Sequence, residues 1–138
     1  VMTIDRPGED LGAMLSSATS PNDRQRLVGP VATLLGALTQ AGAWHPDLNV
    51  KNILLVPDDA GELQPAVLDI DRMRFVPPGD PNVREANYAR LARSLEKWRT
   101  QTGTGFTDDE LRDLHDRLVR DEAVQAAHRA LAMEAYMP

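Results

Sequence analysis

The sequence predicts a chain of the α+β class, mainly α with one small β-hairpin, on three patterns. Leu27, Val28, Val31, Leu34, Leu35 and Leu38 recur at spacings of three and four, the period of a helix with one buried face. Residues 52–56 and 66–70 are short apolar runs on either side of a turn-forming stretch, residues 57–62. Two further helical periodicities follow, one through Tyr88, Leu91, Ala92, Leu95 and Trp98 and one through Leu111, Leu114, Leu118 and Val119.

Taken in order, Pro7 and Gly8 break the opening stretch, and Leu11, Met14 and Leu15 predict a short helix over residues 9–17. Ser20, Pro21 and Asp23 form a helix start: an N-cap hydroxyl, a proline at the first helical position, and an acid facing the positive end of the dipole. The helix they open carries the long stripe and ends near Ala41 and Gly42. The two apolar runs predict paired strands, and Pro77, Pro78, Gly79, Asp80 and Pro81 stop the chain before the next helix. That helix closes in the segment 102–105. Thr107 and Glu110 match a capping box for a last helix, whose extent through residues 123–135 the pattern leaves open. No internal repeat is present.

Composition sets limits on function. The chain has 138 residues, the size of one domain, with 42% hydrophobic and 26% charged residues, an ordinary globular balance. With 21 acidic against 15 basic residues the net charge is -6, so a general nucleic-acid binder with a broad positive face is excluded and any anion site is local. The absence of cysteine excludes disulfides and thiolate metal sites. No apolar run reaches the roughly 20 residues that span a bilayer, and residues 1–9 do not read as a signal peptide. The expectation is a cytoplasmic protein whose membrane contact, if any, is peripheral.

The chemistry-bearing segment follows the long helix: Trp44, His45, Pro46, Asp47, Leu48, Asn49, Val50, Lys51, Asn52, and then the first strand. Asp47 and Asn52 are five apart, and the second strand ends in Val67, Leu68, Asp69, Ile70 and Asp71. This arrangement resembles the catalytic loop of protein kinases and their small-molecule relatives, His-x-Asp-Leu-x-x-x-Asn followed by an apolar strand. The resemblance implies Asp47 as the base that takes or orients the proton of an attacking hydroxyl. It implies Asn52 and Asp69 as ligands of a Mg²⁺ that bridges the phosphates of ATP.

Departures from protein kinases narrow the resemblance. Asn49 stands where those enzymes usually have Lys, and Asp71 replaces the Gly of the metal-binding triplet. His-x-Asp-Leu-Asn-x-x-Asn-Ile-Leu together with Asp-x-Asp-Arg is similar to the Kdo kinase and lipopolysaccharide core heptose kinase family, over roughly residues 1–118. Residues 3–15 look like that family's hinge and first large-lobe helix, and residues 87–98 are also similar. No Ala-Pro-Glu motif appears and only residues 72–81 separate Asp71 from the next helix, which favours a sugar or glycolipid acceptor over a protein. The resemblance therefore implies an ATP- and Mg²⁺-dependent bacterial kinase of lipopolysaccharide biosynthesis, acting on an inner-core sugar such as Kdo and contacting the inner membrane peripherally.

The chain opens on Val1, and neither a Gly-rich phosphate loop nor a strand Lys precedes the catalytic segment. Residues 1–138 are thus expected to be the large lobe alone, nearly inactive, with the ATP-binding small lobe supplied in cis or in trans. An aminoglycoside-type or protein kinase of the same fold stays open as an alternative, as does a pseudokinase or non-catalytic binding module.

Other residues carry two readings each. His45 is expected to make a structural hydrogen bond behind the strand end rather than to move a proton. Asp71 either binds metal, orients Asp69 or pairs with Arg72 or Arg74; Lys51 either touches a phosphate or is solvated. Arg90, Arg93 and Lys97 share a helical face that would hold an acceptor anion, with Arg72 as a further substrate contact, or that is simply solvated. Trp44 and Trp98 would stack on a sugar ring, although each is more simply core.

Overall fold

The computed structural model describes residues 8–136. In chain order the elements are β1 (Glu9–Asp10), α1 (Leu11–Ser17), α2 (Pro21–Ala41), β2 (Ala43–Trp44), β3 (Ile53–Pro57), β4 (Leu63–Val67), a 3-10 turn (Ile70–Arg72), β5 (Arg74–Phe75), α3 (Pro81–Thr102) and α4 (Asp108–Tyr136). The class is α+β and mainly helical, as the periodicities predict.

Helix α2 is the axis of the fold. Ser20 Oγ accepts from the Asp23 N–H at 3.1 Å, which caps the N-terminus. Gly42 ends the helix in the left-handed region at φ 66°, its N–H donating back to Leu38 and Thr39. All six residues of the predicted stripe are buried. Against them pack α3, α4, β2 and β4. The core they form also takes in Leu11, Leu48, Ile53, Leu91, Leu95 and Phe106.

The hairpin differs from expectation in register. Strand β3 pairs antiparallel with β4 from Ile53 opposite Val67 to Pro57 opposite Leu63. The second strand therefore begins three residues earlier than residues 66–70 and ends at Val67. Its end is fixed by the Leu68 N–H, which donates to Asn52 O at 2.7 Å and draws the chain out of the ladder. Its start comes early because the turn is tighter than residues 57–62: Asp58 Oδ1 accepts from both Ala60 and Glu62, each at 2.9 Å. Pro65 is tolerated because β4 is an edge strand in the order β1-β3-β4.

Two-residue strands supply what periodicity cannot detect. Glu9 and Asp10, expected to be helical, pair instead with Leu55 and Leu54. Asp10 then caps α1 by accepting from Ala13 N at 2.7 Å. Ala43 and Trp44 pair with Phe75 and Arg74, which ties the chain entering the His45–Asn52 loop to the chain leaving the strand end. Helix α4 opens on the predicted capping box and runs unbroken, with Leu114 and Leu118 buried and the residues beyond Leu118 largely exposed. Residues 3–7 of the expected hinge lie outside the described residues. Among the described residues no helix is long and apolar enough to cross a membrane.

Candidate active site

The loop from His45 to Asn52 is held from three sides. His45 is fully buried. Its Nδ1 accepts from the Asp47 N–H at 3.2 Å, so the ring proton lies on Nε2, which donates to Leu68 O at 3.0 Å. One imidazole thus joins the start of the loop to the residue before Asp69, and both of its nitrogens are committed. The structural reading of His45 holds.

A second anchor comes from α3. Asn87, fully buried, accepts from the His45 N–H and donates from Nδ2 to Ala43 O, both at 3.0 Å. Two turns further along the helix, Ser94 Oγ accepts from Val50 N at 3.0 Å. From the other side the Gly12 N–H donates to Val50 O at 3.2 Å.

The loop also closes on itself. Asn52, buried, donates from Nδ2 to Asp47 O at 2.9 Å and accepts at Oδ1 from Asn49 N at 2.9 Å. Asn49 donates from Nδ2 to the same Asp47 carbonyl at 2.8 Å and accepts from Lys51 N at 2.8 Å. Asn49, at the position where protein kinases usually carry Lys, is therefore spent on shaping the loop. Asn52 Oδ1 keeps one lone pair, since a carbonyl oxygen accepts two bonds and one is used.

Asp69 sits at φ 60° and ψ 44°, and among the described residues it is the non-glycine at positive φ. Aspartate tolerates this region better than most residues, yet such a backbone is uncommon and concentrates at functional positions. The turn lifts Asp69 out of β4 and exposes it. Among the described residues its carboxylate has neither a hydrogen bond nor an ion pair. Asp71 is exposed in the 3-10 turn, and neither expected ion pair, with Arg72 or with Arg74, is formed. Arg72 turns to Asp47 instead, and Arg74 lies over the Trp44 ring at 5.7 Å.

The Asp47 side chain is partly exposed and flanked by two cations: Arg72 Nη1 lies 3.5 Å from Oδ2 and Arg90 Nη2 3.7 Å from Oδ1. Beyond Arg90 an open groove of about 560 Å³ runs between the loop and α3, lined by Asn49, Lys51, Arg93, Lys97 and Trp98 among others. The structure thus brings Lys51, Arg90, Arg93 and Lys97 together along the groove, whose lining does not include Arg72. Both tryptophans are half-buried, and of the two Trp98 packs against the core. Among the described residues no three His, Asp or Glu side chains gather as a metal cage. Asn52 and Asp69 offer hard oxygen donors that suit Mg²⁺ only when phosphate oxygens and water complete the shell.

Asn87 and Ser94 escape a motif-based reading because they lie outside the loop. Their signal was present: Asn87 occupies the apolar register of Leu91 and Leu95 on α3, and a buried amide there needs partners.

A mainly helical chain carrying this loop and this strand end has a kinase-like fold. The acyl-carrier-protein-bound WaaP structure has that fold too: it matches with a TM-score of 0.59 and 23% identity, over 96% of this chain and 58% of that one. The sequence profile of the Lipopolysaccharide kinase (Kdo/WaaP) family matches residues 6–118, and the chain belongs to that family. No curated protein sequence matches.

Proposed function

We propose that the chain is the large lobe of an ATP- and Mg²⁺-dependent kinase that phosphorylates a hydroxyl of a lipopolysaccharide inner-core sugar such as Kdo. Family membership supports the kinase class and the lipopolysaccharide substrate. The observation that carries the site assignment is the His45 bridge, which joins the segment bearing Asp47 and Asn52 to the strand end bearing Asp69.

In this reading the acceptor oxygen attacks the γ-phosphorus of ATP, the bond to the bridging oxygen breaks, and ADP leaves. Asp47 takes the acceptor's proton; its carboxylate is partly exposed, so a hydroxyl can reach it. Asn52 Oδ1 and the Asp69 carboxylate would hold the metal, whose chemistry would be to neutralise charge on the transferring phosphate. Asp71, beside them in the turn, is a further oxygen donor, and Lys51 contacts a phosphate or acceptor anion. The chain spans 58% of the WaaP structure, which supports a second, nucleotide-covering lobe in cis or in trans. ATP places the reaction in the cytoplasm, and a membrane-borne glycolipid acceptor places the protein peripherally at the inner membrane.

Calorimetry with ATP and Mg²⁺ tests this on the chain and on a form extended on its N-terminal side. Binding by the extended form that disappears in Asp69→Ala and without Mg²⁺ is the expected result. No binding by either form sinks the proposal and leaves a non-catalytic module. In the extended form, phosphorylation of an inner-core sugar that survives Asp47→Ala would remove Asp47 as the base.

A further inference from the structure

Helix α4 runs past the core. Its first half is buried through Leu114 and Leu118, and the match to the family profile ends at residue 118. The second half is held along one side: Glu122 pairs with Arg84 of α3, and Arg129 donates to Gln40 Oε1 near the end of α2 at 3.0 Å. At 3.6 residues per turn, Leu118, Glu122 and Arg129 share a face, and Ala127 lies at the centre of the opposite one.

That outer face is apolar where a solvated helix would be polar. Ala123, Val124, Ala127, Ala130 and Leu131 lie within it, all exposed, Val124 at 46% and Leu131 at 64%. Its two ends are charged, with Arg120 two turns before Ala127 and Glu134 two turns after it. Among the described residues neither forms an ion pair. Asp113, whose carboxyl senses Arg120, is already bonded to Gln25 and Arg117.

We infer that this face binds the same face of a second copy of the chain, antiparallel, about a two-fold axis at Ala127. In such a pair each residue before Ala127 meets the one equally far beyond it in the partner. Ala123 then meets the partner's Leu131, Val124 meets the partner's Ala130, and Arg120 meets the partner's Glu134, each contact occurring twice. Small side chains receive large ones, and both unpaired charges find opposites. A parallel pair would set Arg120 against Arg120 and Glu134 against Glu134. A lipid surface fits worse: residues 119–136 carry two arginines against three acids, whereas a helix that lies on a bilayer is rich in Lys and Arg. The face is about 21 Å long, so the dimer is a weak one that forms as concentration rises. It forms whether or not the chain transfers phosphate.

Sedimentation equilibrium of the whole chain is the test. The mean mass should climb with concentration from that of one chain toward that of two. Arg120→Glu and Glu134→Arg each turn two attractions into two repulsions and should weaken the dimer about tenfold. Mixed in equal amounts, the two variants should associate as the unaltered chain does, because every contact is again between opposite charges. Leu131→Asp should abolish the dimer; its site is exposed, and an unchanged unfolding midpoint at low concentration shows that the fold survives. The sequence has no cysteine, so a single introduced one reports orientation. Mild oxidation should link Ala127→Cys to its copy and leave Ala123→Cys unlinked, since in the antiparallel pair the two copies of that residue are offset by about 12 Å along the helix. A mass that stays at one chain even at millimolar concentration, a dimer indifferent to Leu131→Asp, a mixture of the charge variants that fails to associate, or a disulfide through Ala123→Cys each overturns the inference. Binding to phosphatidylglycerol vesicles that Leu131→Asp removes, with the chain monomeric in solution, would overturn it too and assign the face to a membrane.

Discussion

Replacing Asn87 by leucine keeps most of the side-chain volume and removes both of its hydrogen bonds. The partners, the His45 N–H and the Ala43 carbonyl, each lie 3.0 Å from Asn87. Both belong to buried residues, so neither would find water in its place. An orphaned buried donor or acceptor costs about 1–3 kcal/mol, which puts the loss for the two at about 2–6 kcal/mol. That is a large share of the roughly 5–15 kcal/mol that holds a domain together. Urea unfolding followed by circular dichroism would measure it. Asn87→Asp is the informative companion: it keeps an acceptor for His45 but sets a carboxylate oxygen against the Ala43 carbonyl, and it should also destabilise. A loss under about 1 kcal/mol for Asn87→Leu, with an unchanged denaturant slope, would refute the argument that this amide anchors the loop.

Gly42→Ala should be among the most damaging small substitutions, at least about 2 kcal/mol, because the left-handed backbone disfavours a side chain. A Cβ there would also lie 2.0 Å from Val76 O, and thermal unfolding would report the loss. Asp69→Val should cost more than about 1 kcal/mol while Asp69→Gly stays nearly neutral, since glycine accepts φ 60° and a β-branched residue does not; equal stabilities would contradict the strained backbone. Burial acts to raise the Glu85 carboxyl, but hydrogen bonds from His115 and Arg84 outweigh it and hold the group below its ordinary value. A depressed carboxylate contributes stability above its unfolded pKa of about 4 and loses it as pH falls through the lower folded value. Glu85→Gln should therefore flatten that limb of an acid-unfolding curve, and an unaltered limb would rule the network out as its source.

The long helix was legible because its signals agree: a capping serine, a first-turn proline, a six-residue stripe and a terminal glycine all mark the same span. The family was legible for a different reason, since the residue types from His45 to Asn52 fall at fixed offsets within one continuous stretch. The edge of the hairpin was harder. Leu63, Gln64 and Pro65 fell between the expected turn and the expected strand, and they become strand because Asp58 tightens the turn before them. Asp71 was left open among metal contact, support of Asp69 and pairing with arginine, and the last failed because Arg72 has a nearer carboxylate in Asp47, which only the fold brings close. Asn87 is the same case in reverse. Its partners lie 42 and 44 residues away, and no local pattern encodes that meeting.

Helix α3 divides its labour between two adjacent stripes. Asn87, Arg90 and Ser94 bond to the loop, Arg90 and Ser94 also lining the groove beside it, whereas Arg93, Lys97 and Gln101 line the groove alone. Residues on the first stripe fix loop geometry, and each change there disturbs a contact the others depend on. Those on the second are exposed and can be exchanged without touching the loop. The exposed set can therefore be exchanged while the loop keeps its shape, because the two sets of side chains share a backbone but not their hydrogen bonds. For an engineer, this makes Arg93, Lys97 and Gln101 the positions on α3 to vary, with Asn87, Arg90 and Ser94 held constant.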